Sequence, residues 1–349
     1  AEQALDAATI SGSPRALAAA HNAVGLNHLG RDNILFERHM ASALEAAEAA
    51  GDVLQIVRFT INRCGPAEPK DTIEWLGAAI SLAELAGAGL YLARGLNARG
   101  ENYLALGRFD DAVADFRRAL SLWEQHGSVR RAWALMSLAS VARQRGDLAY
   151  ARAAYEEALE ASEDAEGLIN ARSGLSRVLA YEEPEEAQRL AVEAVEEGRR
   201  LGYMLSQALL AAGWVALARG DREGALASAR EAAAETRRQR IRFEYAEALE
   251  LEAMASSDPA RQVNLLAESA TTWREVGNEV ALARVELAIA RLTHDRAAAE
   301  RARRKLRAAG VREQAAGAAG VLSCLPPEEP DPARIRTLGA NRLDGERTR

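Results

Sequence analysis

Few residues of this chain could bind a transition metal or act as a catalytic nucleophile, because it has only five histidines and two cysteines. His21 and His28 lie seven residues apart on one helix face, but no cysteine or paired carboxylate stands at ligand spacing beside them. The sequence contains no H-E-x-x-H, G-x-S-x-G or G-x-x-x-x-G-K-[ST] motif. The acidic segment 182–186 surrounds a proline at a helix start, where carboxylates favour the helix dipole. We therefore predict that the protein is not an enzyme and has no metal site or cofactor.

Two basic clusters could contact phosphate groups. The first, Arg237–Arg242, joins two expected helices, and the second, Arg296–Arg307, crowds the last helical hairpin. Cations are favoured at helix C-termini, and the outer face of a terminal repeat must be polar, so both clusters have structural explanations. The net charge is −7 and the pI is near 5.5. This charge balance gives no general attraction to nucleic acid or anionic membranes, and we expect no specific DNA binding by this chain.

The elements that carry these residues are expected to be helices. Ala, Leu, Glu and Arg dominate, aromatic residues make up only 5%, and 48% of residues are hydrophobic. With 349 residues, the chain is too long for one compact core. No apolar run reaches about 18 residues, so no transmembrane helix and no membrane partner are predicted. The paucity of cysteines favours a reducing cytoplasm.

The clearest repeating unit runs from Leu90 to Gly127. Its first helix carries Gly100 and Tyr103, a turn follows at Gly107, and its second helix carries small and aromatic residues at matching spacing, namely Ala112, Phe116 and Ala119. A small residue beside a ring lets two helices pack closely. This unit resembles the tetratricopeptide repeat in residue type and spacing, except that Glu124 stands where that pattern has a proline.

The pattern recurs along the chain with a period longer than usual. Small residues at one position of the second helices are spaced by 36 to 40 residues, at Ser42, Ala79, Ala119, Ala158, Ala194, Ala232 and Ala270. The predicted fold is therefore an all-α solenoid of seven to eight tetratricopeptide-like hairpins over residues 1–312, with the last hairpin at 279–309. Contacts between neighbouring repeats should give it an elongated shape. A helical bundle of HEAT-like hairpins is the competing interpretation.

In a superhelix of this kind, the first helix of each hairpin lines the concave groove. Counting from the Gly100 position places eight candidate ligand-binding residues there: Arg94, Asn97, Glu101, Trp133, Arg143, Arg172, Gln207 and Trp214. Arg and Asn can bind a peptide backbone or a carboxylate, and Trp offers a flat apolar surface. This mixture suits a peptide, a protein partner or a small-molecule effector. Trp133 and Trp214 could instead belong to the core between helices.

Prolines divide the chain after the repeats. Four of the nine prolines fall between residues 326 and 332, so we predict a stiff linker at 313–333. Residues 334–349 begin R-I-R-T-L-G and later contain Asp344-Gly345. They resemble the start of the winged-helix region of bacterial regulators with a transcriptional activator domain. Asn341 stands where that region has an aromatic residue, and a chance match in a disordered tail is the alternative.

Two repeats share a further feature, a Trp four residues before a Gly, at Trp123 and Trp273. Long repeats with this ending resemble the sensor region of large bacterial regulatory ATPases, such as the activator of the maltose regulon. The resemblance implies a non-catalytic sensor region of a bacterial transcriptional regulator. Its partners would be an effector in the groove and the ATPase and DNA-binding modules of a longer protein, of which this chain would be a fragment. The alternative is a stand-alone scaffold for protein assembly.

Overall fold

The computed structural model describes residues 1–29, 32–64 and 69–312. These residues form seventeen helices. The helices are α1 (Glu2–Ser11), α2 (Pro14–His28), α3 (Asn33–Ala49), α4 (Val53–Arg63), α5 (Pro69–Leu85), α6 (Gly89–Ala105), α7 (Phe109–Gln125), α8 (Arg131–Arg145), α9 (Leu148–Ala161), α10 (Ala165–Leu179), α11 (Pro184–Leu201), α12 (Leu205–Ala218), α13 (Arg222–Gln239), α14 (Arg242–Ala255), α15 (Pro259–Val276), α16 (Glu279–Leu292) and α17 (Arg296–Ala308).

After α1, the helices form eight antiparallel hairpins, from α2–α3 to α16–α17, and each hairpin packs on the next. This arrangement confirms the predicted α-solenoid and places the last hairpin within one residue of its expected helices. No strand occurs among the described residues. The predicted linker and tail, 313–333 and 334–349, lie outside the described residues.

The helix boundaries follow from residues that satisfy the free backbone groups of each end. Asp147, Asp221 and Asp258 accept hydrogen bonds from the first-turn amides of α9, α13 and α15. Gly146 ends α8 with φ of 87°, and Gly220 precedes α13 with φ of 83°. This left-handed conformation favours glycine. The Gly-Asp turns seen in the sequence are therefore the joints of the hairpins.

Small residues allow the hairpins to pack closely. A Cβ atom at Gly100 would lie 2.5 Å from Cε1 of Phe116, so the ring of α7 occupies the space that a side chain on α6 would need. Six of the seven predicted small positions of the second helices are buried, whereas Ser42 is only half-buried and its neighbour Ala43 fills the core instead. The repeat spacing thus located the packing face, with an error of one residue in the first hairpin.

The solenoid winds tightly enough for successive turns to touch. Nδ2 of Asn278, before α16, donates to the carbonyl of Ala105 over 2.9 Å. Asn33, in the first hairpin, donates to the carbonyl of Gln239, in the sixth, over 2.7 Å. These contacts join hairpins that lie about five repeats apart along the chain. Contacts between neighbouring repeats alone, as predicted from the sequence, therefore do not describe the whole packing.

Candidate functional site

The first helices of the hairpins form the concave side of the superhelix. Each of α4, α6, α8, α10 and α12 contacts the first helix of the following hairpin. Arg177 of α10 reaches past α12 to Glu247 of α14, with 2.7 Å between NH2 and Oε1. A side chain can bridge two hairpins in this way only where the array curves inward. We call the polar surface on this side of α6 to α14 the inner wall.

A chain of ion pairs runs along the C-terminal half of the inner wall. Glu247 accepts from Arg177 and also from Nε1 of Trp214 over 3.0 Å. Behind it, Glu250 accepts from Arg284 over 2.9 Å and from Nε1 of Trp273 over 2.6 Å. Burial alone would disfavour charged Glu247, but the nearby arginines lower the pKa of its carboxyl to about 2. Glu247 is therefore a fixed negative charge.

Two carboxyl groups that have no cationic partner in the described part of the chain face the same space. Glu101 of α6 accepts from Nδ2 of Asn97 over 2.7 Å, and Glu244 of α14 accepts from the hydroxyl of Ser206 over 2.5 Å. Both interact electrostatically with Tyr203, which precedes α12, although α6 and α14 lie four hairpins apart. The Glu101 residue is exposed to solvent at its surface, yet the helices around it displace much of the water near its carboxyl group. This desolvation raises the pKa of Glu101 and of Glu244 to about 7.

The N-terminal end of the inner wall, together with the first helices α2 and α4 that precede it, is basic and rich in side-chain amides. NH2 of Arg94 donates to Oδ1 of Asn62 over 3.0 Å, and Asn62 donates to Asn22 over 2.9 Å. Burial and then the charges of Arg130 and Arg58 lower the pKa of Arg94. Arg94 therefore belongs to a cluster of like charges, which would be stabilised by an anionic group.

Most of the predicted groove residues lie on the inner wall. Arg94, Asn97, Glu101, Arg143, Gln207 and Trp214 share this side of the first helices, and Gln207 links α12 to Asn170 of α10 over 3.0 Å. Trp214 is 8% exposed, so its ring also belongs to the core. Trp133 is half-buried and packs against apolar clusters on both sides of α8.

Arg172 has a different position from the one that the sequence predicted. Its Nε lies 3.1 Å from Oε2 of Glu193 on α11, the second helix of its own hairpin. The inner-wall residues of α10 are Asn170 and Arg177, at positions 2 before and 5 after Arg172. At 100° per residue, these steps place Arg172 on another face of the helix. The sequence count was off by part of a helical turn in this hairpin.

Sequence reasoning missed Arg177, Glu244 and Glu247. A signal for two of them was present, because Asn170, Gln207 and Glu244 are separated by 37 residues each, close to the repeat period. Arg177 and Trp214 have the same separation. Extending Gln207 and Trp214 by one period would have found Glu244 and Arg177, but not Glu247.

Some polar atoms of the first helices are buried without a hydrogen-bond partner among the described residues. They are Oδ1 of Asn97, Nε of Arg143 and Oγ of Ser173, on α6, α8 and α10. Buried polar atoms are nearly always hydrogen-bonded in folded proteins. The three atoms lie on consecutive first helices, so this side of the superhelix has an unmet capacity to bind polar groups.

Other features of the surface offer less chemistry. Nδ1 of His21 lies 3.0 Å from Nδ1 of His39, and the ring of His28 stacks on His39, but no group of His, Cys, Asp or Glu among the described residues is arranged to hold a metal ion. An open cleft of about 510 Å³ lies where the superhelical turns meet, between Lys70, Arg108 and Glu279. Within the described ranges, no helix combines the length and apolarity needed to cross a membrane.

Comparisons with known proteins agree with this architecture. Residues 91–164 match the tetratricopeptide repeat family. A Rap protein complexed with competence and sporulation factor is similar in structure, with a TM-score of 0.63, 15% identity, and coverage of 85% of this chain and 88% of that chain. The Rap conjugation gene regulator of plasmid pLS20, in complex with the Phr* peptide, has a TM-score of 0.58 and 16% identity, covering 72% of each chain.

The apo form of the quorum sensor NprR from B. thuringiensis has a TM-score of 0.51 and 15% identity, covering 84% of this chain and 87% of that chain. At these identities, the likeness concerns the fold. The search of curated proteins found no match. The chain is therefore a tetratricopeptide-like α-solenoid, as its repeat pattern predicted.

Proposed function

We propose that this chain is the effector- or protein-binding sensor region of a bacterial transcriptional regulator and that its ligand binds along the inner wall. The observation that carries the proposal is the set of buried polar atoms there that have no hydrogen-bond partner among the described residues, on Asn97, Arg143 and Ser173 of three consecutive first helices. The ligand fitted best by these groups is a short peptide, because amides, cations and carboxyls alternate over several hairpins. Of the similar structures, one is a complex with competence and sporulation factor and another is a complex with the Phr* peptide, which supports this ligand class.

In this proposal the protein works in the cytoplasm and is not catalytic. Ligand binding on the inner wall would change the conformation of this region, and the linker at 313–333 would transmit that change to ATPase and DNA-binding modules of a longer protein. Residues 334–349 would then begin the winged helix. The superhelical contacts give a physical route for this coupling, since a ligand that changes the curvature of the inner wall also changes the distance between turns that touch at Asn278.

Binding of peptide pools provides the test. Fluorescein-labelled hexapeptide pools, each with one fixed residue, would be titrated against the folded chain and followed by fluorescence anisotropy. We expect some pools to bind and Glu101→Gln to alter which pools bind. Glu185→Gln is the matched control, because Glu185 is an exposed residue of the second helix α11, paired with Arg219 at the surface.

Both variants should keep the helical circular dichroism spectrum of the wild type. A site on the inner wall would be contradicted if the affinities for the pools were unchanged in Glu101→Gln and in Gln207→Ala. It would also be contradicted if Glu185→Gln changed these affinities as much as the inner-wall variants do. Capture of folded proteins on the outer helices, with no peptide bound, would favour the scaffold function instead.

A further inference from the structure

Arg143 is a buried cation with no hydrogen-bond or ion-pair partner among the described residues. It is only 9% exposed, yet its guanidinium forms no hydrogen bond and no ion pair there, and its Nε is buried without an acceptor. A guanidinium has five N–H donors and stays protonated in proteins. A buried charge without a partner is costly, so such a group indicates a missing anion.

The carboxylate that interacts electrostatically with Arg143 already has other hydrogen-bond donors. Glu247 interacts electrostatically with Arg143, but its hydrogen bonds go to Arg177 and Trp214. The second carboxylate of this region, Glu250, is held by Arg284 and Trp273. Of the three arginines that interact electrostatically with Glu247, Arg177 and Arg284 are hydrogen-bonded to Glu247 and Glu250, and Arg143 is hydrogen-bonded to neither carboxylate.

A second unused group lies on the next first helix of the inner wall. The hydroxyl of Ser173 on α10 is one turn before Arg177, is 2% exposed, and has no hydrogen-bond partner in the described part of the chain. Arg143 is also close enough to Arg177 for its charge to lower the pKa of that guanidinium, although burial is the larger cause. An anion bound at Arg143 would therefore also relieve the repulsion between the two arginines.

We propose that Arg143 is the anion subsite of the inner wall and that it binds a carboxylate of the ligand, with the hydroxyl of Ser173 as an additional donor. The planar guanidinium matches a carboxylate through two parallel hydrogen bonds. A more highly charged anion such as a nucleotide fits poorly, because Glu101, Glu166 and Glu244 share the interior around Tyr203. The subsite deepens the proposed function and rests on it for the identity of the ligand.

The test compares the wild type with Arg143→Gln and Arg143→Lys. Arg189→Gln is the matched control, because Arg189 is exposed on α11 and pairs with Glu186 and Glu193 of the same helix. The probes are three acetylated hexapeptide pools that share one composition: free C-terminal carboxylate, C-terminal amide, and C-terminal amide with one fixed Glu. Sodium glutarate and inorganic phosphate are tested separately by thermal unfolding.

We expect the pools that carry a carboxylate to bind the wild type and Arg189→Gln roughly tenfold or more tightly than the amide pool, as a hydrogen bond to a charged group provides. Arg143→Gln should lose this preference, and Arg143→Lys should keep part of it. Without ligand, Arg143→Gln should unfold at the same temperature as the wild type or higher, since it removes an unpaired buried charge.

A carboxylate preference that survives in Arg143→Gln would overturn the subsite while leaving the proposed function intact. A large loss of unfolding temperature in unliganded Arg143→Gln would overturn it too, because Arg143 would then serve the fold. If no peptide pool binds the wild type, the proposed peptide function fails. In that case glutarate that stabilises the wild type but not Arg143→Gln still supports the subsite. Stabilisation by phosphate alone, or by neither anion, contradicts it.

Discussion

At the scale of single residues, the inner wall contains groups whose charge state the fold has changed. Glu101, although exposed, and Glu244 have a pKa near 7 because the surrounding helices desolvate their charged forms, whereas the pKa of Glu247 is about 2 because three arginines surround it. Chemically identical side chains a few residues apart therefore have different charges near neutral pH. A ligand that brings a cation to Glu101 or Glu244 would release protons on binding.

The first prediction concerns Glu244. A carboxyl with a pKa of 4.5 when unfolded and about 7 when folded binds more protons in the folded state, so its contribution to stability falls as the pH rises through 7. Glu244→Gln should therefore raise the free energy of unfolding at pH 8 by about 1 kcal/mol after solvent screening, and by less at pH 5. Urea unfolding at both pH values measures this, with Glu185→Gln as the control. A gain that is equal at both pH values would contradict the raised pKa.

The second prediction concerns Gly100. A methyl group there would lie 2.5 Å from the ring of Phe116, so Gly100→Ala should lower the free energy of unfolding by about 1–3 kcal/mol. Gly77→Ala on α5 is a matched control, because a Cβ at Gly77 meets no atom within 4 Å. That control should be neutral or stabilising, since alanine favours the helix. Chemical denaturation of both variants distinguishes the two sites, and equal effects would contradict the close crossing of α6 and α7.

At the scale of elements, ion pairs with little solvent exposure join first helices that are separated in sequence. Arg177 connects α10 to α14, and Arg284 connects α16 to α14, while Trp214 and Trp273 complete the hydrogen bonds of the two carboxylates. Such pairs are weak sources of stability by themselves, but removing one partner leaves a buried charge. The pair of Arg284 and Glu250 joins neighbouring hairpins, and the pair of Arg177 and Glu247 joins hairpins two repeats apart, so both set the register of the array more specifically than contacts between alanines do.

The third prediction follows from this arrangement. Glu250→Gln keeps an acceptor for Trp273 but leaves Arg284 without a carboxylate, and Glu250 is fully buried. We expect a loss of about 3 kcal/mol in the free energy of unfolding. The exposed pair of Glu185 and Arg219 is the comparison, and Glu185→Gln should change stability by less than about 1 kcal/mol. Similar losses of stability in both variants would contradict a structural role of the ion pair between Glu250 and Arg284.

At the scale of the whole molecule, the closing contacts decide the shape of the superhelix. Besides Asn278 and Asn33, the backbone amide of Arg312 donates to the carbonyl of Arg145 over 3.1 Å, which brings the end of the last hairpin onto the fourth. Each contact joins hairpins several repeats apart. Together they narrow the interior, and this explains why polar groups in contact with solvent, such as Glu101, are nonetheless desolvated.

The fourth prediction concerns Asn278 and distinguishes its contact across the superhelical turn from its role as a helix cap. Asn278 both caps α16, by accepting from the amide of Ala281, and donates across the turn to the carbonyl of Ala105. Asn278→Asp keeps the capping oxygen but replaces the donor by a charge that repels the carbonyl. Small-angle scattering should show a larger radius of gyration with unchanged helical circular dichroism. An unchanged scattering profile would show that the turns are held together elsewhere.

The fold class, the hairpin boundaries and most of the packing face could be predicted from the sequence alone. These depend on local signals, namely Gly-Asp turns, helix periodicity and small residues recurring at the repeat spacing, and each can be read without knowing the rest of the chain. Gly100 and Ala119 are examples, because their neighbours in the structure come from the same or adjacent hairpins.

The side-chain contacts of the inner wall could not be predicted in this way, because they depend on the tertiary structure. This structure paired Arg177 with Glu247 across an intervening hairpin, turned Arg172 toward Glu193, and left Arg143 without a hydrogen-bond or ion-pair partner among the described residues. These outcomes depend on the curvature and winding of the superhelix, to which every hairpin contributes a small rotation. An error of part of a helical turn changes which face a side chain occupies, so a count along the sequence identifies the candidate helices but not the final contacts.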